Sequence, residues 1–303
     1  MMAAEQGRRI SRAIGWADLA LLGIAVVWGA SYPVTKIALA YATVLTLILY
    51  RFALTGLLMS ALSWRDLAAI SRADLAKGIL LGGILFSIFS AEVAGVALAS
   101  ATHAALIISL CTLFTPLLDY GLAKRLPPRG ILAGAVLACA GVALLVGGLA
   151  SWSAGDGLLL LAAGLRAVMV VTTKRTMAGS RLSSKALTAL QANTVSVLTL
   201  ALLLALPGPA AILITAPPRF WISTGFLSIF CTVLAFYVQN AMVRRTSPTR
   251  VALLMGTEPL FGFALAHLLI AEPVTATTSA GAALILLGTF LGIQAEAGAT
   301  RQE

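Results

Sequence analysis

The sequence predicts an all-α integral membrane protein with ten transmembrane helices, arranged as two inverted five-helix repeats over residues 1–150 and 151–303. Three observations carry this: the composition, the long unbroken apolar blocks, and the placement of the basic residues. Of 303 residues, 60% are hydrophobic and only 11% are charged, with a mean hydropathy of +0.98. A soluble domain carries about 25% charged residues and roughly 45–50% apolar ones. A globule of this size cannot hide so much apolar surface while its own exterior stays wet, which excludes a soluble enzyme or a disordered chain. A β-barrel strand would alternate apolar and polar residues around a polar lumen, and this chain does not.

About 20 apolar residues cross a bilayer core as a helix. On that measure ten spans are expected, at 18–39, 43–63, 78–98, 103–122, 130–149, 157–177, 184–204, 221–242, 248–269 and 275–294. The joints between them are short and carry turn chemistry, as at Leu126-Pro127-Pro128, Pro207-Gly208-Pro209, Pro217-Pro218 and Glu272-Pro273. The N-terminal segment with Arg8, Arg9 and Arg12 leads into a stretch of full spanning length without a small-residue cleavage pattern, so it reads as a retained first helix.

The net charge of +10 is mainly a topology signal rather than a nucleic-acid footprint. Lys and Arg collect on cytoplasmic joints. Here 17 of the 21 basic residues fall in the tails and alternate joints of one side, and the opposite joints hold only Arg219. Lys36, Arg51 and Arg166 lie within spans. The split places both termini in the cytoplasm of a bacterial-type inner membrane and requires an even number of helices.

The chain divides near 151–155 into halves of five spans. Asp18 and Lys36 recur as Asp156 and Lys174 at an offset of 138, Gly134 and Gly141 as Gly281 and Gly288 at 147, and Pro116 as Pro259 at 143. Five is odd, so the second half starts on the opposite side of the membrane. Inverted repeats of this kind are a transporter architecture with its site near the midplane.

The three cysteines, Cys111, Cys139 and Cys231, lie inside apolar blocks and form no CxxC, so they read as small buried hydrophobes. No metal or cofactor motif is expected.

Several short motifs resemble a known family. Trp28-Gly29-Ala30-Ser31-Tyr32 with Lys36 behind it resembles the first-helix signature of the drug/metabolite transporter superfamily, and Leu49-Tyr50-Arg51-Phe52 its second-helix arginine motif. Thr257-Glu258-Pro259-Leu260, followed by Ala271-Glu272-Pro273, resembles the late pattern of the ten-helix EamA branch. The first half departs from that pattern. After Pro116, Lys124-Arg125-Leu126 arrives about a turn early and without the acidic residue. Within the branch the chain is similar to YddG-type amino-acid exporters, which implies an amino acid or related amphipathic compound as substrate.

Ionisable groups inside hydrocarbon cost at least about 2.5–3.5 kcal/mol each, so they face a cavity or a partner. Arg51, Arg166 and Glu258 fall near mid-membrane, and Glu92 about a turn from it. Two readings stand side by side: ion pairs that lock helices, or substrate groups. In the second, Arg51 clamps a carboxylate with its planar fork. Glu258 takes an ammonium or couples protons, with Pro259 freeing backbone carbonyls beside a water-filled path. Trp28, Ser31 and Tyr32, with Asn193, Tyr237 and Gln239, complete the expected substrate-binding set; Gln191 sits at the same level. Gating or proton coupling falls to Glu92, His103, Glu258 and Pro259, although a solvated loop position is the simpler account of His103. Ser109 and Thr112 are expected to bond their own backbone, and Lys36 and Lys174 to snorkel. The Gly288–Gly292 GxxxG pattern permits tight packing, either inside the chain or in a homodimer.

The expected activity is export of small organic metabolites, amino acids first, by alternating access. Partners are that substrate, the bilayer and protons where transport is coupled; the chain acts as monomer or homodimer. No GxxxxGK[ST] motif is present for ATP use. An intramembrane enzyme would need a nucleophile, a base and an orienting group together, and neither HExxH nor GxSxG occurs. A channel would show charge rings or a filter loop.

Overall fold

Serine and threonine write many of the helix starts in this chain. In the computed structural model, which describes residues 16–145, 152–177, 182–206, 212–235 and 254–300 with positions 180, 208, 210 and 238, five helices open on such a cap. Thr43, Ser71, Ser100, Ser153 and Ser183 each accept a hydrogen bond from the backbone N–H three residues on. A cap satisfies one of the four N–H groups that a helix start leaves unpaired. Two helices therefore begin before their apolar blocks: one at Arg72 rather than 78, the other at Ala154 rather than 157.

In chain order the helices are α1 (Trp16–Leu39), α2 (Val44–Leu62), the short α3 (Trp64–Ala68), α4 (Arg72–Leu98), α5 (Ala101–Ile108), α6 (Cys111–Leu122) and α7 (Arg129–Leu145). The second half supplies α8 (Ala154–Thr176), α9 (Ser184–Ala205), α10 (Pro218–Ser228), α11 (Glu258–Ile270) and α12 (Ala276–Thr300). Among the described residues there is no strand. Within those described residues seven segments are long and apolar enough to cross a membrane, and three shorter apolar helices lie at Arg129–Leu145, Pro218–Leu234 and Glu258–Ile270.

Three segments are less regular than a sequence count of uniform spans implies. The fourth expected span is broken at Ser109-Leu110, between α5 and α6. α10 continues into a wide π turn over Ile229–Leu234. The ninth breaks at Gly256-Thr257, just before α11. Pro259 is thus at the start of a helix and not within one. Its missing N–H is one of the unpaired donors of a first turn, so it frees no carbonyl in mid-helix as expected.

Packing is dominated by pairs that cross from one half to the other: α7 with α12, α2 with α9, α4 with α8, and α1 with α11. Glycine sets the closest of these approaches. A methyl group on Gly141 would lie 2.7 Å from the Gly281 carbonyl oxygen, and one on Gly281 the same distance from that of Gly141. Gly134 and Gly288 meet in the same reciprocal way, while Gly292 is filled by Leu113. The GxxxG stripe of α12 is therefore used within the chain. With lipid outside, such contacts rest on backbone proximity and dispersion rather than on a hydrophobic force.

Candidate functional site

α1 brings three of the expected residues to one face, because Trp28, Ser31 and Tyr32 follow the i, i+3, i+4 spacing of a helix. They line a cavity of about 440 Å³ that Arg51, Glu92, Arg166 and Glu258 also reach. The four ionisable residues that the sequence puts near mid-membrane are thus gathered on one space, between helices of both halves.

Their surroundings differ. Arg166 donates from Nε and Nη2 to Glu92 Oε2 at 3.0 and 2.5 Å. That pair matches the structural reading, and it leaves Glu92 engaged rather than open. Arg51 is 6% exposed and has no carboxylate within ion-pair distance among the described residues. Its Nη2 donates to Thr232 Oγ1 at 3.4 Å, and its Nε is buried without a hydrogen-bond partner. The guanidinium lies over the rings of Phe89 at 4.7 Å and Phe52 at 5.7 Å. An aromatic face attracts a cation but cannot saturate its donors. The backbone beneath is fixed, since the Arg51 carbonyl accepts from Thr55 Oγ1 at 2.9 Å and from Ser228 Oγ at 3.0 Å.

Glu258 opens α11 and accepts a hydrogen bond from the Tyr32 hydroxyl at 2.9 Å. Trp28 donates from its indole Nε1 to the Cys231 carbonyl at 2.8 Å, inside the π turn after α10. Thr232 Oγ1 in that turn donates to the Leu227 carbonyl five residues back at 3.0 Å. A π turn widens the helix and presents carbonyls that an α-helix would use itself. Here one holds Trp28, and the turn's threonine meets Arg51.

Not every expected residue arrives. Asn193 donates to Ser60 Oγ at 2.9 Å and fills the notch left by Gly56, so it joins α2 to α9; its neighbours Gln191 and Ala192 line the cavity. Tyr237 and Gln239 lie outside the described residues. His103 is not a solvated loop residue: it stands in α5 with Nδ1 2.6 Å from Asp156 Oδ1, away from the cavity lining. Ser109 and Thr112 bond backbone carbonyls three residues back, as expected. Phe89, Thr232, Cys111 and Cys231 were not expected at the site, yet they line it. Phe52, beside Arg51 in the second-helix motif, was the one aromatic partner with a signal in the sequence.

The aromatic and aliphatic wall with a few fixed polar groups suits an organic solute, as pockets for small molecules generally do. Among the described residues no cluster of metal-ligating side chains occurs.

Comparison with known proteins agrees with this architecture. The family model described as the EamA-like transporter family matches residues 15–147 and again 153–293. Two proteins of Archaeoglobus fulgidus, each named an uncharacterized transporter, are similar to this chain. One is 25% identical over 283 residues, spanning 91% of this chain and 85% of its own length. The other is 28% identical over 276 residues, spanning 88% and 93%. A crystal structure of a protein 20% identical to this one superposes with a TM-score of 0.63 over 91% of this chain and 95% of that chain, a likeness of fold alone. The chain belongs to the EamA-like transporter family and is a multi-pass membrane transporter.

Proposed function

We propose that this transporter exports amino acids, or closely related zwitterions, by alternating access of two inverted five-helix repeats, 1–150 and 151–303. The observation that carries the substrate reading is the state of Arg51. It is a buried guanidinium with an unused Nε, beside a cavity that also holds the Tyr32–Glu258 pair. A carboxylate satisfies Arg51 through its fork of donors, and an ammonium group bonds to Glu258. Trp28, Ser31, Phe52 and Phe89 surround the side chain of the substrate, which favours aromatic and other amphipathic compounds.

The double match of the family model and the pairing of helices across the halves support the inverted repeat. So does the way α7 and α12 interlock reciprocally through glycine. The basic residues at the α3–α4, α6–α7 and α8–α9 joints support a cytoplasmic location for both termini and an inner-membrane setting. Use of the glycine stripe inside the chain supports a monomer as the transport unit, which the oligomeric mass in detergent and in lipid tests.

The deciding experiment is counterflow in proteoliposomes with labelled amino acids. Saturable exchange without a pH gradient is the expected result; absence of flux for every amino acid would falsify the substrate reading. Where flux depends on pH, Glu258→Gln abolishes that dependence if Glu258 is the coupling group.

A further inference from the structure

We infer that Lys36 and Glu272 are the outer gate of this transporter: together they clamp the hairpin between α4 and α5 over the extracytoplasmic mouth of the cavity, and outward opening requires both to let go. The inference rests on the transport reading above.

The cavity is uneven along the membrane normal. Toward one face its lining reaches Thr173 near the end of α8 and Ser184 at the start of α9, which flank the basic joint that holds Lys174, Arg175 and Lys185. Toward the other face its lining stops at Tyr32 in α1 and Glu92 in α4. One turn further out on each helix stand Lys36 and Val96.

At that outer level the chain reverses within two residues, Ala99 and Ser100, between α4 and α5. The turn leaves carbonyls at the end of one helix and N–H groups at the start of the next, each needing a partner. Both sets are met by a charge from elsewhere. Lys36 Nζ, from α1, donates to the Val96 carbonyl at 2.9 Å and to the Ala99 carbonyl. Glu272, from the α11–α12 joint of the other half, accepts from the Ala101 N–H at 2.6 Å and the Thr102 N–H at 2.9 Å. A cation thus sits on the negative end of α4 and an anion on the positive end of α5, the favourable sense for both helix dipoles.

The tip these charges hold is not a free loop. Ala101, Thr102 and Ala104 are buried, and Gly155 at the start of α8 leaves no space against Ala99, where an added methyl would come 2.7 Å from the backbone nitrogen. The His103–Asp156 contact adds a tie from α8. α5 has a local cap as well, Ser100 accepting from the His103 N–H, just as Ser153 and Ser183 cap α8 and α9. Only local bonds would be needed if the hairpin were simply to be stable. Here further partners come from α1 and from the second half, so the hairpin can move away from α1 only by breaking the Lys36 bonds, and away from the second half only by breaking those of Glu272.

The cavity carries its own reporter. Cys111 lines it at intermediate exposure, so in a Cys139→Ser/Cys231→Ser background it is the one thiol. Labelling with a membrane-impermeant maleimide, applied to vesicles from either side, reads access. The unaltered gate is expected to give fast labelling from the cytoplasmic side and slow labelling from outside. Lys36→Met, which removes both donated bonds, and Glu272→Gln, which removes the charge, each raise the outside rate about tenfold or more, while Glu272→Asp stays near the parent. Should Glu272→Gln not fold, Lys36→Met and Lys36→Arg read the same equilibrium. An unchanged outside rate in folded variants overturns the gate, as does fast outside labelling of the parent. Counterflow of the protein with its cysteines intact separates the two readings: a gate that fails with that counterflow present leaves the transport reading standing, and its absence for every amino acid removes the reading on which the gate rests.

Discussion

Two arginines share the cavity and differ in what they hold. Arg166 is bonded twice to one oxygen of Glu92. Arg51 leans on two phenylalanine rings, touches one threonine, and keeps a buried Nε unused. In a low-dielectric interior an unpaired charge is costly, and a protein that tolerates one has either paired it or left it for a ligand. Charges that the sequence puts at one depth thus differ in what they contact: Arg166 is paired with Glu92, and Arg51 has no carboxylate at ion-pair distance among the described residues.

The sharpest way to break this contrast is Arg51→Gln. If Arg51 holds the substrate carboxylate, the apparent affinity for amino acids falls about 100-fold, within the range for truncating one side of a buried charge pair. Folding, measured by elution and thermal stability in detergent, stays close to normal. An unchanged affinity in a folded variant would sink the clamp.

Glu92→Gln acts on the other arginine and is read as stability. Leaving a buried cation unpaired costs about 3–5 kcal/mol in closed interiors. The Arg166 side chain is 34% exposed, so about 2 kcal/mol is the expected loss here. A Glu92→Leu/Arg166→Leu double substitution recovers most of it, since no bare charge remains. Tyr32→Phe removes one hydrogen bond from Glu258 and should cost about 1 kcal/mol in substrate affinity, seen as a several-fold rise in the half-saturating concentration. The smallest effect is expected at Asn193. Asn193→Ala should lower thermal stability by about 1 kcal/mol through the lost bond to Ser60 and leave substrate affinity within about twofold.

A second contrast lies between the two halves. Cys111 opens α6 and Glu258 opens α11, both just after a break in the helix, both on the cavity, and 147 positions apart. That is also the offset between Gly134 and Gly281. The backbone device is repeated, but the side chain it presents is a thiol in one half and a carboxylate in the other. Lys124 and Ala271 likewise share a left-handed backbone after the fourth and ninth segments, at φ 55° and 53°. Only the second half follows that residue with a carboxylate, Glu272, which caps α5. A departure visible in the sequence as a missing acidic residue is, in the structure, a cap supplied from one side only.

Arg51 and Glu258 were legible because charge in hydrocarbon is rare and therefore informative. Trp28, Ser31 and Tyr32 were legible because helical spacing puts them on one face. Asn193 was misplaced because depth alone does not say which way a helix is turned, and one step along α9 separates the cavity from the α2 contact. Lys36 read as a snorkelling side chain for the same reason; nothing along α1 reveals the carbonyls of Val96 and Ala99 beside it.

By itself the sequence determined that this protein lives in a bilayer, that it is helical, and which ionisable residues needed an explanation. Those conclusions follow from the cost of exposing apolar surface to water and charge to hydrocarbon, which depends on composition and spacing along the chain. The tertiary structure decided which charges pair, which glycines meet, and where helices break. Those outcomes depend on helix rotation and on contacts between segments more than a hundred residues apart, and no local pattern records them.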